Sequence, residues 1–166
     1  MSFTDHADPK IERIGKLPLF ASAGRAALAT VAEAADEVSV AAGHVLITQG
    51  HRHGEGFVIE QGTAEVEIDG EVVAEIPEGE MIGELGLLDP GPATATVRAK
   101  TDLTLLVIPA NRFDQIMDQN PDMVKAIARE LATRLRAMDA RPHWELIRTV
   151  RTTAARAVII HSPEVS

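Results

Sequence analysis

The sequence predicts a mainly β domain, an antiparallel β-roll of the double-stranded jelly-roll type, with helices before and after it. Three observations support this fold class. Short apolar stretches separated by glycines fill the chain from Val38 to Ile108, which is typical of rolls and barrels built from short antiparallel strands. Asp69-Gly70 joins two of these stretches, a strong signal for a two-residue hairpin. Apolar residues recur at helical spacing on both sides of this region.

Two helices are predicted before the roll. Asp8-Pro9 begins the first, because proline suits the first position of a helix, and Pro18 ends it. Ser22 is expected to be the N-cap of the second helix. The apolar residues of that helix fall on one face: Leu28, Val31, Ala32 and Ala35.

The predicted strands are short and alternate with turns. They lie at residues 38–40, 44–48, 57–60, 63–68, 72–73, 94–99 and 103–108. The segments between them are rich in glycine, which marks turns.

Helices are predicted again after the roll. Asn111 is expected to cap a short helix that runs to Met117. Asn120-Pro121-Asp122 then combines an N-cap, a first-turn proline and a first-turn acid. In the helix that follows, one side carries the apolar residues Val124, Ile127, Ala128, Leu131, Leu135 and Met138. A further helix is expected at 143–160, so the predicted division is a domain at 1–140 and a helical extension at 141–166.

Composition limits the classes of function. The 166 residues are 45% apolar and contain no cysteine, which excludes a disulfide framework or a thiolate metal site. The sequence has no apolar run of membrane-spanning length and a polar N-terminal segment, so a cytoplasmic location without membrane contact is expected. The net charge of −9 opposes non-specific binding to nucleic acid.

The segment from Gly79 to Val97 carries the pattern with the most chemical content. Glycine at 83 and 86 lets the backbone approach a ligand closely, and a turn or helix start there aims several N–H groups at one point. Glu84 between them repels phosphate but suits the hydroxyls of a sugar. These residues suit a phosphosugar pocket, but taken alone they are better explained by an ordinary helical turn between strands.

This segment resembles the phosphate-binding cassette of cyclic-nucleotide-binding domains. The family pattern is Gly-Glu-hydrophobic-Ala/Gly-Leu, a short variable stretch, and then Pro-Arg-x-Ala-Thr/Ser-Val. The chain has Gly-Glu-Leu-Gly-Leu at 83–87 and Pro-Ala-Thr-Ala-Thr-Val at 92–97. The resemblance extends over roughly Ile14 to Arg136 and includes the Leu-Pro-Leu-Phe motif at 17–20 and the glycine-marked turns of the roll.

The resemblance implies a β-roll that holds cyclic AMP or cyclic GMP, with no other cofactor and no metal. By motif position, Glu84 binds the ribose 2′-hydroxyl, and the backbone amides near Leu85 and Gly86 hold the cyclic phosphate. Ala95 and Val97 line the base or core side.

The chain departs from the family pattern at one position. Ala93 stands where the family has the arginine that clamps the phosphate. A charged bidentate contact of this kind contributes about 1.5–3 kcal/mol, so its loss weakens binding about 10- to 150-fold. Arg98 is expected on the opposite face of its strand, whereas Arg52, in the turn at 51–53, would have to reach in from another loop to act as a substitute. Thr94 is either a partner for a guanine amino group or simply a good strand residue.

Three functions follow as hypotheses. The first is a non-enzymatic regulatory subunit that binds a cyclic nucleotide and signals through its C-terminal helices to an effector protein of unknown identity. The second is a degenerate pocket in a constitutive dimerisation or protein-docking module. The third, a transcription regulator, is disfavoured because the roughly 25 residues after Arg141 are too few for a winged helix.

Two further patterns in the sequence have more than one interpretation. The approximate seven-residue repeat in the helix at 121–138 suits a two-stranded homodimer seam, a contact with the roll, or a lid over the pocket. His51, His53 and Glu55 alternate and so share one side of a strand, which suits a metal ion, but a fourth ligand is not evident and a glycine-rich turn explains them equally well.

Overall fold

A computed structural model describes residues 8–139. Within this range the α-helices are α1 (Pro9–Gly15), α2 (Arg25–Ala34), α3 (Glu84–Leu88), α4 (Ala110–Gln119) and α5 (Pro121–Asp139). A single 3-10 turn, Pro18–Phe20, separates α1 from α2. Asp8 caps α1 by accepting a hydrogen bond from the Lys10 amide at 3.0 Å. The predicted start of the first helix is thus confirmed.

The strands form the roll in two main sheets. They are β1 (Asp36–Val40), β2 (Val45–Ile47), β3 (Arg52–His53), β4 (Glu55–Gln61), β5 (Ala64–Ile68), β6 (Glu71–Ile76), β7 (Met81–Ile82), β8 (Gly91–Pro92), β9 (Thr96–Ala99) and β10 (Leu103–Pro109). One sheet has the order β1-β10-β4-β7, the second has β2-β9-β5-β6, and β3 pairs with β8. All pairs are antiparallel, as predicted, and the sheets do not close into a barrel.

The predicted hairpin joins β5 to β6. Asp69 and Gly70 have φ values of 53° and 82°, so both central residues are left-handed, as in the tight turns that match the twist of paired strands. Gln49 supports the turn, because its side chain donates to Asp69 Oδ1 and accepts from the Asp69 amide, both at 2.9 Å.

Two apolar cores lie on opposite faces of the first sheet. Leu103 and Leu105 of β10 face the interior of the roll, whereas Leu106 and Ile108 face the helices. The helical core also contains Phe20 and Phe113, buried side chains from the 3-10 turn and α4 whose ring centroids lie 5.8 Å apart in an edge-to-face contact. The central strand therefore holds the helices and the roll together.

Both predicted side-chain caps next to the roll were wrong. Gly24, not Ser22, is the N-cap of α2, because the bond from the Ala23 amide to the Phe20 carbonyl keeps Ser22 inside a turn. Asn111 does not cap α4, which begins one residue earlier at Ala110, where the amide donates to the Gly54 carbonyl at 2.7 Å.

The predicted apolar side of α5 does not form one buried face. Ile127 is buried, together with Met123 and Ala126, but Val124 and Leu135 are 40% and 61% exposed. The buried stripe is displaced because α5 packs against the 3-10 turn and α4, and this leaves part of the predicted stripe outside the core.

The remaining predictions concern the C-terminal part. The helix expected at 143–160 lies outside the described residues, and the division at residue 140 stays a prediction. Among residues 8–139, no helix is both long enough and apolar enough to cross a bilayer.

We predict that Phe113→Ala lowers the free energy of unfolding by about 3–5 kcal/mol, because it removes a buried aromatic side chain and leaves a cavity beneath α4. Urea unfolding followed by circular dichroism measures this value. Val72→Ala is the control, since Val72 is 55% exposed, and we expect a change within about 0.5 kcal/mol. Equal effects of the two substitutions would contradict the assignment of the helical core.

Candidate functional site

The first half of the candidate site is the start of α3. Gly83 is its N-cap residue, with φ 75° and ψ 21° in the left-handed region. A Cβ atom at Gly83 would lie 2.7 Å from the Glu55 carbonyl oxygen, so conformation and space both require glycine here. The structure thus brings Gly83, Glu84, Leu85 and Gly86 into one short helical turn.

The imidazole of His53 lies directly against this turn. A Cβ atom at Gly86 would be 2.1 Å from His53 Cε1, 2.5 Å from Nδ1 and 2.6 Å from Nε2. The same Cε1 atom is 3.3 Å from the Cβ position of Gly83. The absence of a side chain at Gly86 is therefore what lets the ring reach the backbone of α3.

The second half of the site, Ala93 to Ala95, lies between β8 and β9 rather than within the predicted strand. Its backbone is fastened to the segment before β4: the Ala93 amide donates to the His51 carbonyl at 2.8 Å, and the Gly50 amide donates to the Ala93 carbonyl at 2.7 Å. Ala93 and Ala95 are both buried in the roll core. Because β3 pairs with β8, the segment that carries His53 connects the two halves of the site.

Neither arginine considered as a substitute points into this position. Arg52 is exposed and pairs with Pro92, which is also exposed, whereas the neighbouring Ala93 faces inward. Arg98 is bound to Glu67, with 3.2 Å between its Nε and Oε1. The expectation that Arg98 lies on the opposite face is confirmed, since Val97 beside it is buried in the roll core.

Two polar atoms in this region are buried and have no hydrogen-bond partner in the described part of the chain. They are Nδ1 of His53 and Oγ1 of Thr94. Buried polar groups in proteins are normally paired, so two unpaired ones beside the cassette indicate a place where a ligand or water supplies the partner.

Glu84 is the one charged residue that is fully buried among residues 8–139, with 4% of its surface exposed. Its Oε1 accepts a hydrogen bond from Nη1 of Arg134 on α5. Arg134 also contacts Glu130 one turn earlier, with 3.2 Å between Nε and Oε1. The pair between Glu84 and Arg134 therefore joins the cassette to the long C-terminal helix.

Burial governs the protonation of this carboxyl. It raises the pKa of Glu84, and the guanidinium of Arg134 offsets part of that rise. For the imidazole next to the cassette the direction is opposite: burial lowers the pKa of His53, while the backbone and carboxylate of Glu55 oppose the shift. In both groups, burial thus disfavours the charged form.

Sequence reasoning identified the cassette but missed two of its neighbours. Arg134 lies 50 residues from Glu84, and no local pattern marks it. The sequence suggests His53 only as a metal ligand, together with His51 and Glu55. Within residues 8–139 the structure brings together no group of three or more side chains that suit a metal ion.

Comparison with known proteins identifies the fold and the family. The sequence model of the cyclic nucleotide-binding domain matches residues 37–120, just over half of the chain. The chain belongs to the cyclic nucleotide-binding domain family. The matched range contains the whole roll except the first residue of β1, and it contains the cassette.

Three relatives show the extent of the similarity. The Pycsar effector protein XpPycTIR of Xanthomonas perforans is 36% identical over 95 residues, which are 57% of this chain and 31% of that protein. The cAMP-dependent protein kinase regulatory subunit of Emericella nidulans is 32% identical over 104 residues, 61% of this chain and 25% of that protein. The N-terminal domain of a transcriptional regulator from Streptomyces coelicolor A3(2) superposes with a TM-score of 0.70 at 30% identity, covering 76% of this chain and 92% of that domain.

The chain spans between a quarter and a third of the length of the first two relatives. What it shares with them is therefore the cyclic nucleotide-binding domain. Position 93, where the resemblance places the arginine of the family pattern, lies inside the range that the family model matches.

We predict that Arg134→Ala destabilises the fold by about 1–3 kcal/mol at neutral pH, because it leaves the buried carboxylate of Glu84 without its cation. The loss of Arg134 raises the pKa of Glu84 further. The penalty is therefore small at low pH, where Glu84 is protonated in both proteins. It grows as the pH rises from the pKa of Glu84 in the wild type to the higher pKa in the variant, and it is constant above that.

Denaturant unfolding of the wild type and the variant across this pH range tests the prediction. The double variant Glu84→Gln with Arg134→Ala is the control, since it has no carboxylate at 84 and the pH-dependent part of the difference disappears. A penalty for Arg134→Ala that is the same at every pH would show that the pair is not a buried ionic contact.

Proposed function

We propose that this domain is a non-enzymatic regulatory module that binds cyclic AMP or cyclic GMP in its roll and signals through α5. Membership of the cyclic nucleotide-binding domain family supports the ligand class. The observation that carries the proposal is the buried carboxylate of Glu84, which lies in a glycine-flanked turn and is bonded to α5.

The chemistry of the turn fits a cyclic nucleotide. The ribose of such a ligand offers a 2′-hydroxyl, which donates a hydrogen bond well to a carboxylate. The first amides of α3, near Leu85 and Gly86, have no acceptor within the helix and are available to the cyclic phosphate. Glu84 thus binds the hydroxyl of the ligand, and the amides near Leu85 and Gly86 bind its phosphate.

The Glu84–Arg134 pair gives the ligand a route to α5. A ribose hydroxyl bound to Glu84 shares or displaces the hydrogen bond from Arg134, so ligand binding and the position of α5 affect one another. Such coupling is reciprocal: a change in α5 that weakens this pair alters ligand affinity by the same factor. Signalling through the C-terminal helix needs only this difference in affinity between two positions of α5.

The alanine at position 93 sets the expected strength of binding. The phosphate lacks the bidentate contact that the family's arginine supplies, so the wild type binds less tightly than a domain with the full cassette. The buried carboxylate and the backbone amides remain as contacts. We therefore expect binding that is weak yet measurable.

Isothermal titration calorimetry with cyclic AMP and cyclic GMP tests the proposal. We expect binding by the wild type, weaker binding by Glu84→Ala by about tenfold, and tighter binding by Ala93→Arg by about 10- to 150-fold. The matched control is Glu71→Ala, since Glu71 is an exposed glutamate on β6. The proposal would be overturned if neither the wild type nor Ala93→Arg bound either nucleotide.

A second candidate function, a dimerisation module, is favoured by the exposed apolar side of α5. Val124, Ala128, Leu131 and Leu135 follow one another at spacings of four, three and four residues, the pattern of a two-stranded helical seam. Leu131 is partly buried against the helical core, whereas the other three are exposed. Val124 and Leu135 are among the largest exposed apolar side chains of the described residues. A second copy of α5 is the simplest partner for this stripe, and such a dimer is compatible with ligand binding.

We predict that the protein sediments as a dimer and that Leu135→Glu shifts it to monomer at the same concentration, because a charge within an apolar seam is costly to bury. Val72→Glu, a similarly exposed apolar position on β6, is the control and leaves the oligomeric state unchanged. A wild type that sediments as a monomer at all accessible concentrations would exclude this interface.

A further inference from the structure

The edge of the His53 ring that carries both nitrogens faces the cassette. Cε1 lies between the two nitrogens in an imidazole, and these three atoms are the nearest neighbours of the Cβ position of Gly86. The ring therefore occupies the space beside the amides near Gly86, the same amides to which the proposed function assigns the phosphate. A phosphate that reaches this backbone meets the His53 nitrogens first.

Among the described side chains at this site, Thr94 also has a buried, unpaired polar atom, but its hydroxyl cannot take up a positive charge. Ala93 ends at its Cβ atom and is buried in the roll core, and Arg52 lies on the exposed side of β3. Nδ1 of His53 is buried without a hydrogen-bond partner. A buried, unpaired nitrogen that faces a ligand position is the feature expected of a contact completed by the ligand.

We propose that His53 takes the role of the missing arginine and is the side chain that contacts the ligand's phosphate. This inference rests on the proposed function, and it assigns the anion-binding side chain of that same site. Because an imidazole gains a positive charge on protonation, its contact with phosphate depends on pH, unlike that of an arginine.

The charges that face the ring are few. Glu55 follows it on β4 and acts on its protonation. From α3 the nearby charge is Glu84, which is paired with Arg134 of α5. The residues of β8 and the side chains of Ile47 and Ala110 near this segment carry no charge. The phosphate is therefore the main new charge that His53 meets on binding.

The direction of the pH dependence follows from these contacts. In the free protein, burial keeps the pKa of His53 below its ordinary value. An anion beside the ring stabilises the imidazolium, so the pKa of His53 is higher in the complex. Affinity is then greatest below the pKa of the free protein and falls as the pH rises through the pKa of the complex.

The test measures the affinity of the wild type for cyclic AMP and cyclic GMP by calorimetry between about pH 5.5 and about pH 8. We expect affinity to fall about tenfold or more over this range, since one linked proton gives up to about a tenfold change per pH unit. In His53→Ala we expect weaker binding at the acid end by about tenfold or more, with no dependence on pH through this site.

Two controls separate a phosphate contact from a general effect. His51→Ala removes an exposed histidine two residues away and leaves the affinity and its pH profile unchanged. Adenosine lacks the phosphate, so its binding does not respond to His53→Ala. In the wild type, the NMR chemical shift of the His53 Cε1 proton, followed as a function of pH, gives the pKa of His53 with and without ligand. We expect this pKa to be higher with ligand.

Several outcomes overturn the inference. Tighter binding by His53→Ala would mean that the ring only blocks the pocket, and affinity of the wild type that is independent of pH would mean that it makes no titrating contact. Either result leaves the proposed function standing. Failure of both the wild type and Ala93→Arg to bind any cyclic nucleotide removes the proposed function and the phosphate contact together.

Discussion

The alternation of side chains along β10 holds the two halves of the molecule in register. Leu103 and Leu105 enter the roll, while Leu106 and Ile108 enter the helical core. Because β10 pairs with β4 and β4 pairs with β7, the chain that emerges from β7 begins α3 at the boundary between the two cores. The position of the cassette is thus a consequence of a strand that is buried on both faces.

The buried carboxylate of Glu84 at that boundary depends on a residue outside the roll. A charge removed from water needs a partner, and within the described residues Glu84 finds it in Arg134, on a helix that follows the roll in sequence. The site is therefore not completed by the roll alone. Under the proposed function, a ligand that offers a hydroxyl to Glu84 acts on a contact that also holds α5, so recognition and helix position are linked through this ion pair.

The sequence predicts the features that depend on neighbouring residues. The Asp69-Gly70 turn and the glycines of the cassette were identified because each needs a backbone conformation or a close approach that few residues allow. The Ser22 cap was wrong because a preceding 3-10 turn, not the local preference of serine, fixes the start of α2. The contact of Arg134 with Glu84 has no local signal, since it depends on how α5 packs. The two-residue strand of His53 likewise exists only through its pairing with β8.

Under the proposed function, the alanine at position 93 changes what kind of anion site the roll holds. A guanidinium is charged at every physiological pH, and at this position it would leave the roll core with a permanent cation whenever the ligand is absent. Glu84 cannot balance that charge, because it is already bonded to Arg134. Alanine avoids the cost, and under our proposal it leaves the anion to a group that carries no permanent charge. The imidazole of His53 meets that requirement, since the same burial that lowers its pKa in the free protein is offset by a phosphate beside it. A pocket of this kind holds no permanent cation, so it destabilises the fold less than one built around arginine. Its binding is weaker, and the affinity falls as the pH rises.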